Sequence, residues 1–149
     1  MKRTSLKKFL KEYSIFAKRK TTISHAFASA ATPLERYDDE NTAKALKLLG
    51  QNPNGDLQCI YCKRPAKTWD HLISLVENGE IREGGYGHQL GNLVPCCKDC
   101  NSDKQNKNFR VFVTDKKLVQ RLEKYQQRFA TVINVKACEK RMRSEWEKY

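Results

Sequence analysis

Apolar residues recur at steps of three and four near the start of the chain. Leu6, Phe9, Leu10, Tyr13 and Phe16 fall on one side of residues 4–19, while Lys7, Lys8, Lys11 and Lys18 fall on the other. That spacing predicts an amphipathic helix, capped by Thr4 or Ser5. The period fades over residues 21–33, a segment that carries His25, read as a packed histidine, and ends at Pro33. A second helix is predicted from Asp38 or Asp39 to Leu49, with acidic residues in its first turn, Lys44 and Lys47 later and Gly50 just beyond its end. Asn52-Pro53-Asn54-Gly55 reads as a turn.

The middle of the chain changes character. TWDHLISL (68–75) is bulky and branched, as a strand would be, and 77–91 reads as a loop rich in glycine. Asn92-Leu93-Val94-Pro95 predicts a second short strand stopped by Pro95, and a helix follows from Cys97 to about Lys107. Phe109 to Val113 alternates and reads as a strand or an extended link. Thr114 is then placed to cap a long final helix, with Leu118, Leu122, Tyr125, Phe129 and Val132 on one stripe and Val135, Cys138, Met142 and Trp146 on a shifted one. Too few heptads persist for a coiled-coil dimer, so this helix is expected to pack on its own domain. The fold class expected is α+β: a small ββα unit (56–108) between helical regions 1–55 and 109–149, together one compact domain.

Charge adds a partner to this picture. The net charge is +12, unevenly spread: residues 1–20 hold eight Lys/Arg against one Asp/Glu, residues 21–103 eight against eleven, and residues 104–149 thirteen against five. Basic flanks around a slightly acidic centre attract a phosphate backbone through counterion release. The same runs are also what a solvated surface looks like, and charge alone does not separate the two. No apolar run is long enough to span a bilayer, and the basic start MKRTSLKKFLKEY leads into no apolar signal-peptide core. A cytoplasmic location is expected.

The six cysteines change it further. Cys59/Cys62 and Cys97/Cys100 form two C-x-x-C pairs, a set suited to a closed tetrahedral zinc site, although the 34 residues between the pairs exceed the usual spacer. Cys96 adjoins Cys97, but Cys97 has the matching spacing; isolated Cys138 reads as a core thiol. Between and beside the pairs lie residues that a zinc staple does not need. Asp70 and Asn101 offer hard oxygen donors of the kind Mg²⁺ or Mn²⁺ takes, and His71 is a base suited to neutral pH. On a strand, adjacent Asp70 and His71 would face opposite ways unless the chain bends there.

DHL, GG and GNLVPCCKDCNSDK, with their flanking C-x-x-C pairs, resemble the cysteine-bearing HNH endonuclease family over roughly residues 56–108. The resemblance implies a ββα-metal finger with His71 as general base, Asn92 orienting it, Asn101 at the third position, and one divalent metal on Asp70 and Asn101. Lys104, with Lys107 and Arg110, would then touch the DNA phosphates; His88, in GGYGHQLGN where a second catalytic histidine could sit, is given a loop role, on a mobile loop from which it could approach DNA. The expected activity is metal-dependent hydrolysis of phosphodiester bonds in double-stranded DNA. A restriction-type enzyme is favoured, and a two-fold homodimer would let it cut both strands of a palindrome. The alternatives are a nicking, homing-type or non-specific nuclease and, from another class, a zinc-ribbon DNA-binding protein without catalysis.

Overall fold

The computed structural model describes residues 1–10, 35–74, 76–77, 80–81, 85–132 and 134–148. The predicted helix beyond residue 10 and the segment with His25 lie outside them. Residues Arg3–Lys8 form a 3-10 helix, and the predicted cap Ser5 is used elsewhere: its Oγ accepts the indole N–H of Trp69 at 2.8 Å.

Helix α1 (Asp39–Leu48) forms where its signals place it. Asp38 caps it, accepting from the Asn41 N–H at 2.8 Å, and Gly50 follows at φ +75°, a left-handed turn that costs glycine little. Its buried stripe of Thr42, Ala45 and Leu46 faces the core. Arg3 reaches back to Asp39, bonding both carboxylate oxygens (3.1 and 2.9 Å), and so ties the amino terminus to the start of α1.

Strands β1 (Thr68–His71) and β4 (Leu93–Cys96) pair antiparallel, with Thr68 opposite Cys96 and His71 opposite Leu93. Pro95 does not stop the second strand. It lies inside it, where its carbonyl accepts from the Ile60 N–H at 2.9 Å, so the cysteine-bearing turn docks on the strand edge. Where a loop is expected over 77–91, two short strands pair antiparallel, β2 (Val76–Glu77) with β3 (Glu80–Ile81). Cys97 caps α2 (Lys98–Lys104), which ends three residues before the predicted limit at Lys107.

The carboxy-terminal third departs from prediction twice. Phe109–Phe112 is a single helical turn, α3, not a strand: Asn108 caps it through the Arg110 N–H, and buried Phe109 donates its N–H to Leu72 O. The long final helix is two helices, α4 (Lys116–Phe129), capped by Asp115 rather than Thr114, and α5 (Val135–Glu147). Leu6, Leu46, Leu93, Val94, Phe109 and Leu122 belong to one buried cluster, so both flanks pack against the ββα unit. The fold is α+β, with helices at either end.

Candidate functional site

Two clusters sit at opposite ends of α2. At its start, the Sγ atoms of Cys59, Cys62, Cys97 and Cys100 all lie within 4.8 Å of one another, and those of Cys62 and Cys97 are 3.6 Å apart. A tetrahedral zinc with Zn–S bonds of ~2.3 Å sets sulfurs roughly 3.8 Å apart. The donor set therefore fits a metal ion such as zinc, and spacing had picked the right cysteine of the adjacent pair. The first pair is shaped by a tight turn in which Lys63 takes φ +64° and its N–H bonds Cys59 O at 2.9 Å.

Crowding gives these thiols unequal chemistry. A hydrogen bond from Cys96 and several backbone N–H groups hold Cys59 down to about 4, while burial and its neighbours push Cys100 up. Arg64 covers the cluster: its guanidinium donates to Cys62 Sγ (3.3 Å), Cys97 Sγ (3.7 Å) and Asp99 (2.8 Å). A four-thiolate zinc would carry two net negative charges, which this cation offsets in part. Sequence reading missed Arg64, though its place two residues past Cys62 was visible.

At the other end of α2 the groups are oxygen and nitrogen. Asp70 is 4% exposed, and its Oδ2 accepts the Tyr61 hydroxyl at 2.6 Å and pairs with Lys104 Nζ at 3.2 Å. Burial pushes the Asp70 carboxyl above its ordinary value, against the pull of Lys104 and Tyr61. Lys104 corrects an expectation. Placed at the DNA phosphate by sequence, it is buried, with its ammonium on Asp70 and on His71 O at 2.7 Å. The helical step turns it inward, and Asn101, three residues before it on the same face of α2, is half-buried. Lys107 and Arg110 are exposed, and Arg110 bonds Glu123 at 2.9 Å.

Asp70 and His71 engage different partners, as strand alternation requires. Asp70 turns to α2, whereas His71 Nε2 lies 2.9 Å from His88 Nδ1, on the loop before β4. Hydrogen bonds tie that loop to three other segments of the chain. Asn92, fully buried, accepts from Ile73 N–H at 2.9 Å and donates to Ile73 O (3.0 Å) and Gly87 O (2.9 Å), which clasps the chain after His71 to the chain before His88. Gln89 binds Tyr86 O and, through Oε1, the Thr131 N–H at 2.8 Å. Glu35 accepts the Leu90 N–H at 2.7 Å, and burial pushes its carboxyl up to about 7. Gly91 (φ +87°) must be glycine, because a Cβ there would stand 2.5 Å from Ala130.

An Asp70 carboxylate and an Asn101 amide carry oxygen donors of the kind a divalent ion takes. Asp70 already faces a cation, so such an ion would share or replace Lys104 as its counter-charge. Among the described residues no helix is long and apolar enough to cross a membrane. No curated protein and no solved structure matches the chain. Residues 59–107, about a third of the chain, match the family model of the HNH endonucleases.

Proposed function

We propose that the protein is an endonuclease hydrolysing phosphodiester bonds in double-stranded DNA, with His71 as the general base. The observation that carries this reading is the clasp around His71. Asn92 fixes the backbone on both sides of the His71/His88 contact, within the stretch that matches the HNH family. His71 takes a proton from a water molecule; the resulting hydroxide attacks the phosphorus in line, the P–O bond to the 3′ oxygen breaks, and the departing 3′ oxygen takes up a proton from solvent. A divalent ion held by Asp70 and Asn101 would neutralise charge on the phosphate. Lys104 keeps Asp70 compensated and, through His71 O, holds the end of β1 where the base is needed. A buried ion pair broken at one partner is strongly destabilising, so Lys104 belongs to this scaffold rather than to the DNA grip.

DNA is gripped by the basic flanks, including Lys107, Arg110 and the exposed Lys116, Lys117, Arg121, Lys124 and Arg128 along α4. The three segments 1–55, 56–108 and 109–149 act as one unit, and a two-fold pair of chains would set a site on each strand, as a restriction-type enzyme needs. The test is plasmid cleavage with Mg²⁺ or Mn²⁺, for the parent and for His71→Ala. The parent should cut, and the variant should lose at least about 100-fold in rate. Binding without cutting by the parent would leave a zinc-ribbon DNA-binding protein instead. Discrete fragments would support site-specific action; a smear would replace it with general nuclease activity.

A further inference from the structure

We propose that His88 is a positioning residue for His71: its Nδ1 accepts the Nε2–H of His71, which fixes the tautomer and the orientation of the His71 ring. The inference rests on the function proposed above and names a partner which that reading does not contain. The two ring nitrogens are 2.9 Å apart, with ring centroids at 4.8 Å and planes tilted by 57°. At that separation one ring donates and the other accepts, so the contact selects a tautomer. An imidazole intrinsically prefers its proton on Nε2, and the proposed arrangement gives both rings that form. A histidine whose far nitrogen is held by an acceptor is fixed in both tautomer and orientation.

His88 is also held where it can act. The Asn92–Gly87 bond lies on one side of it, and Gln89 and the Glu35–Leu90 bond lie on the other. The ring of Phe9 stands 5.9 Å from the His88 ring, tilted by 53°. A half-exposed loop histidine with no task would not need its two neighbours in sequence, Gly87 and Gln89, both anchored to other segments of the chain. Placement this firm is what positioning a functional side chain requires.

The test has a spectroscopic and a kinetic arm, both on the full chain with its metal. Only three histidines, His25, His71 and His88, occur in the sequence, so long-range ¹H–¹⁵N spectra of histidine-labelled protein can be assigned by substituting His25 and His88 in turn. At alkaline pH, His71 should carry its proton on Nε2 in the parent and become a tautomer mixture in His88→Ala. Cleavage at saturating DNA should fall by about 10- to 100-fold in His88→Ala, as when other partners orienting a functional imidazole are removed, with the DNA dissociation constant unchanged. His88→Phe, which keeps the ring's bulk and loses the acceptor, should fall equally. His88→Asn, whose Oδ1 sits where Nδ1 does, should recover most of the rate. Parental rates in both the Ala and Phe variants, or a parent proton on His71 Nδ1, would overturn the proposal. A parent that does not cut would sink the nuclease reading, while the spectra would still decide what His88 does to His71.

Discussion

The two ends of α2 are about 10 Å apart along the helix axis, and they are built on opposite principles. The cysteine end gathers like groups, four thiols within 4.8 Å, that repel once ionised and need a cation among them. The histidine end gathers complementary groups: Asp70 with Lys104 and Tyr61, His71 with His88, and Asn92 with three backbone atoms. One end offers four donors to a metal ion such as zinc, supplied from outside the chain. The other is completed by the chain itself. A site whose parts already satisfy each other can keep its shape without a further ligand, so the two ends differ in what holds them together.

The sharpest way to break this contrast is to remove the metal. Binding to thiolate zinc sites is worth on the order of 10 kcal/mol, comparable with the whole stability of a domain. A strong chelator should therefore abolish the cooperative thermal transition followed by circular dichroism, and zinc should restore it. A chelated protein that melts like the untreated one would mean the cysteines are not a staple.

Asn92→Ala attacks the other end. It leaves Ile73 N–H, Ile73 O and Gly87 O without their buried partner, at roughly 1–3 kcal/mol for each group left unpaired. Urea unfolding should show a loss of about 3 kcal/mol or more, with zinc affinity unchanged if the two ends are independent. A weakened zinc site in this variant would show that the ends are coupled through α2.

The smallest effect belongs to Glu35. Its carboxyl is raised to about 7 in the fold, above its ordinary value, so between roughly pH 4.5 and 7 the folded state holds more proton than the unfolded one. Stability contributed by this group is therefore present at low pH and lost as pH rises through 7. Glu35→Gln keeps an acceptor for Leu90 N–H and removes the titration. Its melting temperature relative to the parent should rise with pH across that window and level off above it. A difference that stays flat with pH would place the carboxyl in water instead.

Much of this was legible in the chain. The pairing of Cys59/Cys62 with Cys97/Cys100, the cap-to-glycine signals of α1, and the two short strands leading into a cysteine-capped helix are local patterns, set by spacing and by residue chemistry. So was the α4 stripe, in which Leu122 and Tyr125 are buried and Leu118 and Phe129 partly so. The stripe could not show where that helix ends. Val132, placed on it by periodicity, is 51% exposed, because the chain turns extended at Ala130 (φ −113°, ψ 147°). There Gln89, 42 residues away in sequence, binds Thr131, and Gly91 presses on Ala130. The same distance hid the inward turn of Lys104 and the meeting of His71 with His88. Periodicity and motif record what a residue does with its near neighbours. Which remote group completes its hydrogen bonds is decided only when the chain has folded and the loop before β4 has closed over the end of β1.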